Sequence, residues 1–159
     1  MITDKFGSLI EELGKVLKIN LKTDKNNACL IDFKNGLKVQ IEIDARGENV
    51  LIAADLGEIV QGRFRENVFR EALKANGLPP PRNGIFAHSK KNESLVLYDN
   101  VTMEEISGEK LADFLLDFNK KAELWKGCIA RNEVPSFTES EASPGKRTQT
   151  GGLFGLMQW

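Results

Sequence analysis

The chain has 159 residues, 41% hydrophobic and 28% charged, with a formal net charge of -1 and a pI near 5.9. That length suits one domain with a real core rather than two, and the charge balance leaves no positive field to attract nucleic acid. No apolar run reaches the ~18–20 residues that cross a bilayer, and the first residues carry no signal-peptide core, so a cytoplasmic protein without membrane insertion is expected.

Residues 2–17 place Ile2, Phe6, Leu9, Ile10, Leu13, Val16 and Leu17 at steps of three and four, with Glu11, Glu12 and Lys15 opposite. This predicts an amphipathic helix, with Thr3 as its N-cap. After the polar stretch 22–27, residues 28–33 read as a strand leading into Asn35-Gly36, whose tolerance of positive φ suits a type I′ hairpin turn. Leu37, Val39, Ile41 and Ile43 then alternate with polar residues, predicting a strand with one buried and one wet face. Residues 50–54 are apolar throughout, which predicts a central strand covered on both faces.

A second helix is predicted over residues 63–76, its stripe formed by Phe64, Val68, Phe69, Ala72 and Leu73, with Gly77 as a left-handed stop. Pro79-Pro80-Pro81 imposes an extended loop. Residues 84–88 and 94–98 form a hairpin with Ile85, Phe86, Leu95, Val96 and Leu97 on both faces, so a helix or another subunit should cover the second face. Thr102 and Glu105 have capping-box spacing. Beyond them a long helix carries Leu111, Leu115, Phe118, Ala122, Trp125 and Ile129, with Lys120 and Lys121 on its polar side. From residue 132 to 159 the composition turns to Ser, Thr, Gly and Pro, predicting a flexible tail after a domain of residues 1–131. That tail ends on sticky side chains: Leu153, Phe154, Leu156, Met157 and Trp159.

Catalytic chemistry finds little support. The one histidine, His88, could nominally join Cys29 and Asp55 in a nucleophilic triad, but Cys29 shares the inward face of its strand with Ile31 and Phe33. Cys29 and Cys128 read as buried reduced thiols. They and one His cannot close a zinc site, so neither metal nor cofactor is expected. Gly57 and Gly62 lack any phosphate-loop spacing. The pairs Glu11-Glu12 and Glu104-Glu105 read as solvated helix faces.

The order α-β-β-β-α-β-β-α predicts an α+β fold, a twisted antiparallel sheet packed with helices. With the first helix, the segment Leu30-Ile31-Asp32-Phe33, the stretch 70–76, the strands Gly84-Ile85-Phe86 and Leu95-Val96-Leu97, and a last helix bearing Leu111, Leu115, Phe118 and Trp125, the chain resembles the class I type III secretion chaperones, the Tir chaperone family. The resemblance implies a non-enzymatic bacterial homodimer. Such a dimer keeps the N-terminal segment of a secreted effector extended until the secretion ATPase takes it. It also implies cargo along the first helix and first strands, which here nominates Phe6, Ile10, Leu13, Leu30, Ile31 and Phe33. The second helix and fourth strand would form the dimer interface, through Val68, Phe69, Leu73, Ile85 and Phe86. The alternatives are a same-fold adaptor or regulatory module and, less in keeping with the residues, a small enzyme.

Overall fold

The computed structural model describes residues 2–135, with side chains from Lys5 onward; residues 136–159, most of the expected tail, lie outside the described residues. In chain order the elements are α1 (Ile2–Leu17), β1 (Ala28–Asp32), β2 (Lys38–Ile43), β3 (Asn49–Glu58), α2 (Arg63–Asn76), β4 (Ile85–Ser89), β5 (Ser94–Thr102) and α3 (Gly108–Ala130). The five strands form one antiparallel sheet in the order β1-β2-β3-β5-β4. The sheet therefore ends at β1 on one side and at β4 on the other.

The register explains which side chains enter the core. Ile31, Val39, Ala54, Leu97 and Phe86 lie in one row across all five strands, and all five are buried under α1 and α3. Phe6, Ile10 and Leu13 of α1 and Leu111, Phe118 and Trp125 of α3 fill the layer above them. Each such burial contributes about 1.5–3 kcal/mol. The opposite row, Leu30, Gln40, Ala53, Tyr98 and Ile85, is exposed or half-buried. So β3 is central, as its apolar run suggests, but it is fully covered on one face only; Leu51 and Ala53 stay half-buried.

Several local expectations are corrected. The β1–β2 turn is not type I′: Gly36 has φ +90 while Asn35 does not enter the left-handed region. Gly36 N–H donates to Phe33 O and Phe33 N–H to Leu37 O, both at 2.9 Å. This is a three-residue loop with one left-handed residue, held by a bond from Leu37 N–H to Asn35 Oδ1. Thr3 falls inside α1, not ahead of it. Gly77 ends α2 in a right-handed conformation, its N–H still bonded to Leu73 O and Lys74 O. Thr102 ends β5 and only a turn follows; α3 starts at Gly108, capped by the Ser107 hydroxyl, which accepts from Lys110 N–H at 3.2 Å.

Two charged residues are less solvated than their pattern suggests. Glu12 Oε2 accepts from Gly108 N–H at 3.0 Å, so a carboxylate of α1 meets the positive end of α3. Here the helices come so close that a Cβ on Gly108 would lie 2.5 Å from that of Glu12. Lys121, placed by its spacing on the polar face, is buried instead. Its Nζ donates to Arg82 O at 2.9 Å and Gly84 O at 3.2 Å, and lies over the Phe86 ring. It ties the proline loop to α3, and the two carbonyls replace the water its charge gives up.

The β2–β3 turn yields a pH prediction. Asp44 accepts from the Asn49 side chain at 3.0 Å and from Glu48 N–H at 2.9 Å. These bonds, the Asn49 side chain foremost, hold its carboxyl below the usual carboxylate range. A depressed folded value stabilises above the unfolded pKa of about 3.9 and ceases to do so as pH falls through the folded value. Asp44→Ala should therefore lower the melting temperature at pH 7, and the gap to the native chain should close as pH falls through the folded value.

Candidate functional site

The hydrogen bonding of β1 decides what its edge can do. Phe33 N–H reaches inward to Leu37 O, so by antiparallel alternation Cys29 and Ile31 also turn their main-chain groups to β2. Ala28, Leu30 and Asp32 turn theirs outward. The outward groups of Ala28 are closed by Asp24, whose N–H donates to Ala28 O at 2.8 Å and whose Oδ1 accepts from Ala28 N–H at 3.0 Å. Leu30 and Asp32 have no such lock among the described residues. The Leu30 side chain is 57% exposed. Asp32 pairs with Lys38 at 3.9 Å across exposed surface, a contact too screened to close the edge.

The other nominated effector contacts are placed differently. Phe6, Ile10, Leu13 and Ile31 are buried in the protomer's own core, and Phe33 is half-buried at its margin. Their side chains support the edge from beneath, and Leu30 is the nominated side chain that reaches solvent from β1.

The β4 edge is built the opposite way. Asn76, the last residue of α2, donates from Nδ2 to Phe86 O at 3.0 Å and accepts from Phe86 N–H at Oδ1 at 2.8 Å. Its amide thus takes both outward main-chain groups of Phe86, which a neighbouring strand would otherwise use. Beside it, Phe69, Ala72, Leu73, Phe86 and Leu95 line an apolar depression of about 180 Å³. Leu73 is 70% exposed there, whereas Val68 and Phe86 are buried within the protomer and Ile85 is half-buried. At the rim Phe69 meets the His88 ring edge-on at 5.3 Å, and Glu93 lies 3.3 Å from His88 Nε2 and 3.5 Å from Arg65 Nη1. Ile85, Val96 and Tyr98 on the outer face of the hairpin stay half-buried. Asn76 was missed by sequence reasoning: its partner lies ten residues on, across the proline loop.

The nominal triad is not assembled. Cys29 on β1 and His88 on β4 stand at opposite edges of the sheet, four strand spacings or about 19 Å apart. Burial also pushes the Cys29 thiol above its ordinary value, keeping thiolate scarce. Among the described residues no group of three or more His, Cys, Asp and Glu could hold a metal ion. No described helix is long and apolar enough to cross a membrane.

Comparison with known proteins adds an independent line. No curated protein sequence matches the chain. Among solved structures, the type III secretion chaperone SycH of Yersinia pestis, in complex with a fragment of YscM2, superposes with a TM-score of 0.61 at 19% identity, covering 74% of this chain and 97% of that one. The HopA1–SchA chaperone–effector complex gives 0.60 at 14% identity, covering 79% and 95%. The ExoT–SpcS complex of Pseudomonas aeruginosa gives 0.58 at 12% identity, covering 75% and 95%. At such identities these likenesses speak to the fold, and the sequence itself carries the assignment. A model of one family matches residues 8–126, three quarters of the chain and every element from α1 to α3, and the protein therefore belongs to the Tir chaperone protein (CesT) family of type III secretion chaperones.

Proposed function

We propose that this protein is a bacterial cytoplasmic chaperone that binds the N-terminal segment of a type III secreted effector and keeps it extended and competent for export. The observation that carries the reading is the open edge of β1: main-chain groups at Leu30 and Asp32 that no described residue pairs, beside an exposed leucine. An extended segment can pair with those groups as an added strand while its side chains cover Leu30 and the margin at Phe33. Holding cargo this way requires no catalytic group or cofactor. Two similar solved structures, the HopA1–SchA chaperone–effector complex and the chaperone SycH bound to a fragment of YscM2, support the same reading.

The protein works as a homodimer joined through α2 and β4, where the Leu73 depression and the half-buried outer face of the β4–β5 hairpin await cover. The secretion ATPase then receives the complex. The same-fold adaptor reading finds no separate feature in its favour.

The test is capture of an effector N-terminal segment on co-expression. Leu30→Glu should weaken capture at least about tenfold by placing a charge where apolar contact is needed, with circular dichroism and oligomeric mass unchanged. Binding by the native chain should persist at moderate salt, since backbone pairing and apolar contact are little screened. Undiminished capture by a folded Leu30→Glu protein would move the cargo elsewhere.

A further inference from the structure

The open stretch of β1 is a frame of fixed length. Asp24 takes both outward main-chain groups of Ala28 and the turn closes the strand after Phe33, leaving Leu30 and Asp32 as the outward residues that no described residue pairs. An antiparallel segment added here exchanges its main-chain bonds with those two residues alone. A slip of two residues would set one pairing position against Ala28, whose groups are already bonded, or carry it past the strand end. The register is therefore fixed from both sides.

Within that frame the two side chains differ in kind. Leu30 and Asp32 project from the same outer face, with Gln40 and Lys38 directly opposite them on β2. Leu30 is exposed and apolar. The Asp32 side chain is 67% exposed and its ion pair with Lys38 is a loose 3.9 Å, so its charge remains available to a residue added on its other side. An added residue paired with Asp32 stands about 5.5 Å from it across the ladder. Lys38 lies two strand spacings from that residue, about 9–10 Å. At those distances the carboxylate dominates: an acidic side chain is repelled and a basic one attracted. Antiparallel strands run in opposite directions, so the residue facing Asp32 precedes the one facing Leu30 by two.

We propose that the β1 edge selects effector segments reading basic-x-apolar, with the basic side chain on Asp32 and the apolar one on Leu30. That effectors are what it selects rests on the functional reading above; the register and the charge of the edge do not. A second copy of this chain is a poor occupant. Twofold pairing of β1 with itself would oppose Asp32 to Asp32, which repels, or to Ala28, which Asp24 has sealed. The remaining register sets each Asp32 carboxylate against a leucine.

The test uses the full chain and two blocked heptapeptides, Thr-Thr-Lys-Thr-Val-Thr-Thr and the same sequence with glutamate in place of lysine. Binding is read from hydrogen exchange at the amides of Leu30 and Asp32 as each peptide is raised to millimolar concentration. At low salt the lysine peptide should slow both amides at a concentration about fivefold lower than the glutamate peptide, and the gap should shrink below about twofold at about 0.5 M salt. The Ala28 amide, already bonded to Asp24, should exchange at its peptide-free rate throughout. Asp32→Lys alters an exposed side chain and leaves the core intact, and it should reverse the preference. Equal protection by the two peptides, protection by neither, or an unreversed preference in Asp32→Lys overturns the selection. So does protection of Leu30 and Asp32 that rises with protein concentration alone, the mark of a second copy at the edge. Effector capture that Leu30→Glu weakens, alongside equal protection by the two peptides, would keep the functional reading and overturn the selection. A lysine preference at the edge of a protein that captures no effector would do the reverse.

Discussion

Replacing Leu73 with glutamate should convert a particle of about twice 17.7 kDa into one of 17.7 kDa, read by multi-angle light scattering at micromolar concentration. Leu73 is 70% exposed in the protomer, so the substitution leaves the core alone. Covering that side chain in a dimer contributes about 1.5–3 kcal/mol per protomer, and the symmetry of a twofold interface applies the loss twice. A carboxylate there adds a desolvation cost that the apolar depression cannot offset. Phe69→Glu should also break the dimer, but it strips the ring partner of His88 and the cation–π partner of Arg65, so its effect mixes association with folding. A native chain that runs as a monomer, or a Leu73→Glu protein that stays dimeric, would remove α2 from the interface.

The largest loss of stability should come from Trp125→Ala. Trp125 is fully buried and its ring lies 4.1 Å from that of Phe86, joining α3 to β4 across the core. Emptying such a site costs about 3–5 kcal/mol, or roughly 10–20 °C in melting temperature for a domain of this size. Trp125→Phe offers an informative control. It keeps a ring against Phe86 and removes the indole N–H, which is buried with no hydrogen-bond partner among the described residues. Its cost should therefore be well under half that of alanine. Equal losses for the two variants would mean that ring packing contributes little here.

Much of the fold was legible because burial imposes periodicity. The alternation from Leu37 to Ile43 and the stripe from Phe6 to Leu17 each follow from one covered face, and α1 and α2 run over the residues their patterns predict. What escaped was whatever depends on a distant partner. Glu12 looks solvated until Gly108 N–H arrives beside it, and Lys121 looks exposed until the carbonyls of Arg82 and Gly84 surround it. The nominated effector residues divide for the same reason. Alternation already turns Ile31 inward and leaves Leu30 on the opposite face, but only the packing of α1 against the sheet and α3 shows that Phe6 and Ile10 are wholly buried in the protomer's own core. The overturned turn at Asn35-Gly36 depended on loop length, which the dipeptide by itself does not specify.

The Asn76 amide has a consequence for how many molecules can be joined. A sheet with two receptive edges is a bifunctional monomer and can polymerise end to end without limit. By engaging both main-chain groups of Phe86, Asn76 removes one of the pairing positions that β4 could offer an added strand. A protomer that accepts a strand at β1 alone would have a stoichiometric ceiling of one, and a twofold pair of such protomers would be a closed, divalent carrier. Asn76→Ala, by reopening the second terminus, should turn that finite species into one that grows with concentration.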